Sequence, residues 1–323
     1  MATLADVAQL AGVSKATASR ALSKPEMVLP VTAQRVLDAA TKLGFEPNNT
    51  ARLLARGRSG VLALVVPTLD NAFFTPIIGG AQRRAAAAGL QLTVAVHPLE
   101  SVTELATFDR LARQVDGFVV VAPRGSDDLI IAAGTLKPTV LVDREIESLP
   151  SVVADTASAF GSLVDHFVAQ GHTKIAYMGG PAGSWQDRQR TAAVVAAASG
   201  RAHLDVLGPY PSTFAAGLSA AVAVRASGAT AVIPYATAIG LGVQYQLLAS
   251  GDIHPPLVIS SERAIVDALG LPGVPAIDVD GEELGRRATE VLLERIESPG
   301  APPSHERLGV PIYWSGADEV ELR

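Results

Sequence analysis

The chain has 323 residues, a formal net charge of −6, no cysteine and only 5% aromatic residues. At roughly 100–200 residues per domain, this length predicts two or three domains whose cores need no disulfide or metal for stability. The lack of cysteine excludes disulfides, thiolate zinc sites and cysteine nucleophiles, and it is compatible with a reducing cytoplasm. No apolar run of about 18 residues predicts a membrane span, and the N-terminus has no signal-peptide pattern, so we expect a cytoplasmic protein.

The charge is unevenly distributed along the chain. Residues 1–60 contain eight Lys and Arg against four Asp and Glu, a net charge of +4, which leaves −10 for the remainder. A small basic segment joined to a larger acidic one predicts that the basic segment contacts a polyanion.

The first two helical patterns are joined by a turn that contains a glycine. Thr3 followed by Asp6 predicts a capping box at the start of a helix, and Gly12 predicts its end. Ser14 is the predicted N-cap of a second helix over about 15–22. Two short helices linked in this way are typical of the helix-turn-helix.

A third helix is predicted from about Pro30 to Leu43, because proline suits a first helical turn and Gly44 suits the end. Its predicted inward positions are Val36, Leu37, Ala40 and Leu43. A short, weakly apolar segment flanked by arginines follows at 50–56, and 57–60 has the composition of a linker.

From residue 61 onwards, short β-branched or apolar runs alternate with alanine-rich helical patterns. The predicted strands are 61–66, 91–96, 117–121, 139–142, 174–178, 203–207, 230–234, 257–260 and 275–279. The predicted helices are 76–88, 102–113, 157–170, 188–199, 214–226, 237–249 and 281–297. The alternation predicts right-handed parallel α/β units, and nine strands predict two subdomains. We expect a ligand beyond the carboxyl ends of the strands.

No catalytic or metal-binding pattern is evident. The six histidines do not have metal-ligand spacing, and the sequence contains no P-loop, no Gly-x-Ser-x-Gly elbow and no carboxylate dyad. We therefore predict no metal, no cofactor and no catalytic residue, and a binding protein rather than an enzyme.

Three segments of the chain resemble the LacI/GalR family of transcriptional regulators. They read TLADVAQLAGVSKATASRALS at 3–23, FEPNNTARLL at 45–54 and QGHTKIAYMGG at 170–180. The similarity extends in order over essentially the whole chain. It implies an α/β protein with an N-terminal helix-turn-helix head and a two-subdomain core of parallel sheets, like that of periplasmic binding proteins.

The resemblance also implies domain boundaries. The helix-turn-helix DNA-binding domain would be 1–47, the hinge helix and linker 48–60, and the effector-binding and dimerisation core 61–323. Within the core, the N-subdomain would comprise about 61–156 and 281–308, and the C-subdomain about 157–280 and 309–323.

The resemblance assigns DNA contacts to the second helix. Lys15, Ala16 and Arg20 would contact bases, and Thr17 and Ser19 would contact phosphates. The residue types agree, since arginine can bind guanine bidentately and alanine can contact a thymine methyl. The alternative is a solvated surface helix with a chance arginine.

The resemblance also assigns DNA contacts to the hinge, which begins at Asn48. Segment 48–56 is too short for a stable isolated helix, and in the resembled family paired hinge helices enter the minor groove. Asn48 would contact DNA, and Leu54 would wedge between base pairs and bend the duplex. The alternative is an ordinary linker with Leu54 packed on the core.

Several residues that follow strands are candidates for effector binding. Phe73 and Phe74 can stack on a sugar or base ring, or they can simply be core residues. Asp143-Arg144 looks like the family's Asp-Arg, which would bind sugar hydroxyls by charge-assisted hydrogen bonds. The alternative is a salt bridge between the two residues that braces the loop.

By position, further effector contacts are implied in the second half of the chain. Ser184, Gln186 and Arg190 occupy the family's pocket positions, with Arg190 as the effector anchor, and Trp185 is a candidate for stacking. In a chain with so few aromatic residues, Tyr235 is a further candidate.

The sequence departs from the family pattern at two places in the pocket. Ala236 and Thr237 stand where an Asn-Asp pair is common, and Glu262 stands where an aspartate is usual. Thr237 and Glu262 complete the set of expected effector contacts. The departures predict an effector that is unusual, less polar or absent.

Together these observations predict a homodimeric, sequence-specific transcriptional regulator, most often a repressor in this family. It would bind double-stranded operator DNA under the control of a sugar-like or nucleoside-like effector between the core subdomains, and it would not bind membranes. A solute-binding protein for sugar transport is the alternative, disfavoured by the DNA-binding head and the absent signal pattern. A sugar hydrolase or kinase is a third possibility, but the sequence contains no catalytic constellation that supports it.

Overall fold

The computed structural model describes residues 2–23, 25–45, 57–252, 254–269 and 275–314. The chain divides into two compact units, Met1–Ser59 and Gly60–Arg323, and each is described by itself. Among the described residues, no helix is long and apolar enough to cross a bilayer.

The first unit contains the three predicted helices, α1 (Leu4–Ala11), α2 (Lys15–Ser23) and α3 (Pro30–Leu43). The predicted capping box is present: the Asp6 N–H donates to Thr3 Oγ1 over 3.3 Å, and the Thr3 N–H donates to Asp6 Oδ2 over 2.8 Å. Gly12 ends α1 in the left-handed conformation, with φ 64°, which glycine adopts without the steric penalty of a Cβ.

Small residues form the core of the first unit: Val7, Ala8, Ala11, Ala18, Ala21, Val36, Ala39 and Ala40. The prediction that Leu37 and Leu43 of α3 face inward is wrong, since these two residues are 43% and 36% exposed. Ala33 and Ala39 are buried instead. The inward face of α3 is therefore lined by small side chains that let α1 and α2 approach closely, and the larger leucines lie at its margin.

The second unit has twelve described strands. They are β1 (Val61–Val66), β2 (Gln91–Val96), β3 (Gly117–Val121), β4 (Thr139–Val142), β5 (Ser151–Ala154), β6 (Lys174–Met178), β7 (His203–Leu207), β8 (Ala231–Pro234), β9 (Leu257–Val258), β10 (Ala276–Ile277), β11 (His305–Leu308) and β12 (Ile312–Tyr313).

Nine helices of the second unit are described. They are α4 (Phe74–Ala87), α5 (Leu105–Ala112), α6 (Asp127–Gly134), α7 (Thr156–Ala169), α8 (Trp185–Ala198), α9 (Phe214–Ser227), α10 (Thr237–Ala249), α11 (Arg263–Leu269) and α12 (Gly281–Glu297).

These elements form two lobes, each around a parallel sheet. The N-lobe contains a six-stranded sheet of order β11-β5-β4-β3-β1-β2, and the C-lobe contains a four-stranded sheet of order β7-β6-β8-β9. The antiparallel pair β10–β12 contributes Ile277 and Ile312 to the C-lobe core. The chain crosses between the lobes three times, after β5, β10 and β11. Residues that follow the carboxyl ends of strands in both sheets line a common cleft.

Glycines set the closest helix contacts within each lobe. In the N-lobe, a methyl group on Gly285 of α12 would overlap the carbonyl of Ile77 on α4. In the C-lobe, Gly217 of α9 and Gly242 of α10 lie against each other's helix in the same way. These helices pack without intervening side chains, which makes each lobe a firmly packed block.

The predicted strands and helices of the core are present, and their ends lie within about three residues of the predicted ends. The sequence did not predict five further strands and helices. β5 follows β4 after a short loop with no crossover helix, so the alternating pattern gave no reason to expect it. β11 has the polar sequence HERL, and β12 has only two residues. The helices α6 and α11 have only eight and seven residues, too short for a clear helical period.

Candidate functional site

The exposed face of α2 carries the predicted DNA contacts. Lys15, Ala16, Ser19 and Arg20 are all exposed. On the opposite side of the helix, Ala18 is fully buried in the core of the first unit. Residues three and four apart share a helix face, so these four side chains form one continuous surface that points away from the core.

Thr17 lies at the edge of this surface and belongs to the cap of α2. Its N–H donates to Ser14 Oγ over 3.1 Å, and its own Oγ1 lies 2.9 Å from the same oxygen. Ser14 is therefore the N-cap, as predicted. Asn48 and Leu54 lie outside the described residues, and their DNA contacts stay predictions.

The cleft between the lobes contains two cavities that share part of their walls. The first, here called the inner compartment, has a free volume of about 30 Å³ and lies deep between the sheets. It is lined by Asn71, Phe73, Phe74, Ala122, Asp143, Thr156, Phe160, Gln186, Arg190, Tyr235, Ala236, Ser261, Glu262, Ile277 and Val279.

The second cavity, here called the outer compartment, has a free volume of about 450 Å³. It is lined by Pro67, Thr68, Asp70, Asn71, Phe74, Glu100, Ala122, Arg124, Pro181, Ala182, Ser184, Pro209, Tyr210, Pro211, Ser212, Thr213 and Tyr235. Loops that follow β1, β2 and β3 of the N-lobe and β6, β7 and β8 of the C-lobe supply these residues.

Arg190 of α8 is enclosed in the inner compartment. Its Cζ lies 4.6 Å from the ring centroid of Phe160 and 4.6 Å from that of Tyr235. Its Nε donates to Thr156 Oγ1 over 2.8 Å, and its Nη1 donates to the Tyr235 carbonyl over 2.9 Å. Cation–π contacts with two rings and two hydrogen bonds thus fix the guanidinium in place.

Gln186, one turn before Arg190 on α8, joins the two lobes. Its Nε2 donates to Asp143 Oδ1 over 2.9 Å and to the Ala154 carbonyl over 3.2 Å. Its Oε1 accepts from Thr156 Oγ1 over 3.2 Å. A single amide from the C-lobe therefore satisfies groups at the ends of β4 and β5 in the N-lobe.

Asp143 is buried directly after β4, with φ 55°. A non-glycine residue in the left-handed region stores strain, which is common at functional sites. Burial raises the pKa of its carboxyl, although hydrogen bonds from the Ala154 N–H and Gln186, and the charge of Arg190, favour the ionised form. The carboxyl is therefore buried and already engaged by groups of the protein.

Tyr235 follows β8 and lies between the two compartments. Its hydroxyl is 3.1 Å from Ser184 Oγ, and its ring packs so closely on Gly180 that a Cβ there would lie 2.6 Å from it. Burial raises the pKa of the Tyr235 phenol, partly offset by the charge of Arg190. Ser184, a predicted effector contact, borders the outer compartment and caps α8.

Glu262 borders the inner compartment, and burial raises the pKa of its carboxyl, partly offset by a hydrogen bond with Thr237 and the charge of Arg190. Thr237 itself is buried behind the lining, where its Oγ1 lies 3.0 Å from Ser260 Oγ and accepts from the Ser261 N–H over 3.1 Å. It therefore reaches the cavity only through its neighbours.

Three predicted effector contacts do not line either compartment: Arg144, Trp185 and Thr237. The Arg144 side chain is buried on the N-lobe side, where its Nη2 pairs with Asp127 Oδ1 over 2.5 Å and donates to the Gly125 carbonyl. The alternative interpretation, a salt bridge between Asp143 and Arg144, is wrong as well, because Arg144 pairs with Asp127 and Asp143 accepts hydrogen bonds from Gln186 and the Ala154 N–H. The backbone at Asp143 turns the two side chains in different directions.

The remaining predicted contacts, Phe73, Phe74, Asp143, Ser184, Gln186, Arg190, Tyr235 and Glu262, all border the cleft. Sequence reasoning missed Thr156 and Phe160, which bind Gln186 and Arg190. Thr156 follows the unpredicted strand β5, so it was not recognised as a residue at a strand end. Within the described ranges, no cluster of His, Cys, Asp and Glu could hold a metal ion.

Two family descriptions match the chain. Residues 3–48 match "Bacterial regulatory proteins, lacI family", and residues 59–315 match "Periplasmic binding proteins and sugar binding domain of LacI family". The matched ranges together include both the exposed face of α2 and every residue of the cleft.

Individual relatives agree with this assignment. The repressor CytR of Escherichia coli K12 is 32% identical over 184 residues, which is 56% of this chain and 54% of CytR, so the chain spans about half the length of that relative. The regulator PtxS of Pseudomonas plecoglossicida is 28% identical over 98% of this chain and 96% of its own length.

Solved structures share the fold. A lac repressor dimer bound to operator and the anti-inducer ONPF has a TM-score of 0.75 at 22% identity and covers 97% of this chain and 98% of its own. A complex of the regulator CelR with cellobiose has a TM-score of 0.69 at 24% identity and covers 98% and 99%. With both of its family segments matched in order over nearly its whole length, the chain belongs to the LacI family of bacterial regulatory proteins.

Proposed function

We propose that this protein is a sequence-specific transcriptional repressor whose binding to operator DNA is controlled by a sugar-like or nucleoside-like effector in the cleft between the lobes. The exposed face of α2 is the observation that carries the proposal. Exposed lysine and arginine side chains on the second helix of a helix-turn-helix are suited to base edges in the major groove. The name of the relative CytR, a transcriptional repressor, supports the same function.

In this proposal Lys15, Ala16 and Arg20 read bases, while Thr17 and Ser19 contact phosphates and fix the register. Asn48 and Leu54 of the hinge would contact DNA as well. The head would comprise 1–47, the hinge and linker 48–60, and the core the remainder. Two chains would form a homodimer on a pseudo-palindromic operator, because symmetric half-sites match a twofold protein. The protein would act in the cytoplasm, where its operator lies.

The cleft would receive the effector, and its bordering residues are the proposed contacts. The lobes can be more open or more closed, and an effector that binds one of these conformations more tightly shifts the population of molecules toward that conformation. The hydrogen bonds of Gln186 to Asp143 and to the Ala154 carbonyl break or form when the lobes move, so they belong to this equilibrium. A solute-binding protein for transport would share the cleft but would have no use for an exposed recognition helix.

Selection of duplexes from a random DNA pool tests the proposal. We expect enrichment of a pseudo-palindromic sequence, two chains per duplex in sedimentation, and affinity that falls steeply with salt because phosphate contacts release counterions. Failure to enrich any sequence, with α2 shown to be folded by hydrogen exchange, would contradict the proposed function.

A further inference from the structure

We infer that Gly183 is the stop for closure of the two lobes. Because it has no side chain, the lobes meet backbone to backbone at the edge of the outer compartment, and a side chain at this position would hold the lobes apart. This inference rests on the proposed function, since lobe closure is the equilibrium through which an effector would control DNA binding. It assigns the closed end of that equilibrium to a residue that is not among the proposed effector contacts.

Two loops, one from each lobe, meet at the edge of the outer compartment. The N-rim, residues 122–126, follows β3, and the C-rim, residues 179–184, follows β6. Both loops contribute residues to the lining of the outer compartment. A Cβ on Gly183 would lie 2.7 Å from the Arg124 carbonyl oxygen and 3.3 Å from the Arg124 Cβ. Contacts between carbon and a carbonyl oxygen begin at about 3.3 Å, so no side chain fits at Gly183 while the rims are in contact.

The N-rim is held in place from inside the N-lobe. A methyl group on Gly125 would overlap the carbonyl of Leu99, so the loop lies directly on the segment that follows β2. The Gly125 carbonyl accepts a hydrogen bond from Arg144 Nη2 over 3.3 Å, and the same nitrogen pairs with Asp127 Oδ1. Arg144 is 3% exposed, and its place behind the N-rim gives a role to an arginine that does not line the cleft. The N-rim therefore retreats from the C-rim only when these contacts break.

The C-rim is held by two charged side chains at the start of α8. Asp187 Oδ1 accepts a hydrogen bond from the Gly180 N–H over 2.7 Å and one from the Tyr177 hydroxyl over 2.7 Å. Arg188 Nη1 donates to the Gly183 carbonyl over 3.3 Å. The loop is thus fixed near its beginning and near its end, so a clash at Gly183 is not relieved by a small shift of the C-rim alone.

Backbone conformation alone does not explain the glycine at this contact. Gly183 has φ 79°, and Gly200, which follows α8, has φ 69°. Both lie in the left-handed region that glycine adopts without the steric penalty of a Cβ. A Cβ on Gly200 would have no heavy atom within 4 Å, whereas a Cβ on Gly183 meets the opposite lobe. Comparison of the two positions therefore separates the cost of the backbone conformation from the cost of the contact.

Two braced loops in contact define where closure ends. Packed protein does not deform continuously, so closure of two lobes stops when firmly held surfaces meet. An effector that favours the closed conformation can close the lobes only as far as the contact between Gly183 and Arg124 allows. A side chain at position 183 should shift the population toward more open lobes, with or without an effector.

The lack of natural cysteine allows two spin labels to be placed in the full-length protein without DNA. Asp128→Cys on α6 labels the N-lobe and Ala192→Cys on α8 labels the C-lobe, and both positions are exposed. Electron–electron double resonance then measures the distribution of distances between the lobes. Gly183→Asn is the test variant, because asparagine tolerates a positive φ better than most residues with a side chain. Gly200→Asn is the matched control.

We expect the population at the shortest distance of the parent protein to fall about tenfold in Gly183→Asn, because a side chain forced into a tight contact is destabilising. Gly200→Asn should leave the distribution unchanged. Gly183→Ala, whose methyl group overlaps the same carbonyl, should change the distribution in the same direction and replaces Gly183→Asn if that variant does not fold. Adding Arg144→Met to Gly183→Asn should return part of the short-distance population, since the N-rim loses its brace.

Equal distance distributions in the parent protein, Gly183→Asn and Gly183→Ala would overturn the inference, and so would an equal change in Gly183→Asn and Gly200→Asn. No recovery on adding Arg144→Met would overturn the bracing role of Arg144. These measurements use no DNA, so failure to enrich an operator together with the expected distances would contradict the proposed function alone.

Discussion

Gln186 on α8 donates a 2.9 Å hydrogen bond to Asp143 at the end of β4, and this bond joins the C-lobe to the N-lobe. Both side chains are buried. Replacing the amide leaves a buried carboxyl without its side-chain donor, and an unsatisfied buried polar group is costly. The stability of the core and the relative position of the lobes therefore depend on the same contact.

Gln186→Ala should lower the free energy of unfolding by about 1–3 kcal/mol, because Asp143 and the Ala154 carbonyl lose a buried donor. Urea unfolding followed by circular dichroism measures the change. Gln189→Ala on the same helix is the matched control, since it removes an amide that makes no side-chain hydrogen bond in the described part of the chain. Equal losses for the two variants would contradict a joining role for Gln186.

Asp143→Asn should change how stability depends on pH. Burial raises the pKa of Asp143 in the folded protein above its ordinary value of 3.8, so between these two pKa values the folded state binds more protons than the unfolded state. The free energy of unfolding of the wild type therefore falls as pH rises through this window. The asparagine side chain cannot ionise, so the free energy of unfolding of this variant does not contain this decrease.

The free energy of unfolding of Asp143→Asn minus that of the wild type should thus be larger near neutral pH than near pH 3.8, the ordinary pKa of this carboxyl. Urea titrations of both proteins over this range measure the difference. Asp128→Asn, at an exposed position on α6, gives the reference for loss of one carboxylate without a change to the network. A relative stability that decreases toward neutral pH would show that burial of Asp143 does not have the stated sign.

Arg20→Ala should weaken binding to the selected operator by about 1–3 kcal/mol and relax discrimination at one base position, since an arginine–guanine pair carries sequence information. Gel-shift titrations against the operator and its single-base variants measure both effects. Arg35→Ala removes an exposed arginine of α3 and controls for charge. Loss of affinity without loss of discrimination would make Arg20 a phosphate contact instead.

Leu54→Ala should reduce bending of the operator if the hinge leucine wedges between base pairs, because the smaller side chain cannot keep a base step unstacked. Circularly permuted DNA fragments that carry the operator measure the bend angle. Leu53→Ala is a control of the same size one position away. An unchanged bend with Leu54→Ala would remove Leu54 from this role.

The sequence predicted the helices of the head and the alternating strands and helices of the core because the signals for these elements are local. The Thr3–Asp6 box, Gly12, Ser14 and the alternation of strands and helices each involve neighbours in the chain, and the structure contains all of them. The inward positions Leu37 and Leu43 were wrong because the packing distance between helices, and not the apolar period alone, selects small residues for the core.

The sequence indicated where the cleft lies, but it did not indicate which contacts the side chains of the cleft make with one another. Strand ends indicated Asp143 and Tyr235, but no local pattern could show that the Arg190 guanidinium lies between Phe160 and Tyr235 or that Arg144 turns to Asp127. These contacts join residues far apart in sequence, and Thr156 was hidden because β5 lies next to β4 without a helix between them. Distant pairings of this kind need the folded backbone.

Because the chain crosses between the lobes three times, the head and the lobes become able to fold at different times during synthesis on the ribosome. The N-lobe begins at β1, but its core needs Leu284 and Leu292 of α12, and its sheet needs β11. The head has its own core and can fold as soon as it emerges, since domains generally fold in order from the N-terminus. A nascent or prematurely ended chain would thus present a complete recognition helix on an unfinished core with exposed apolar surface.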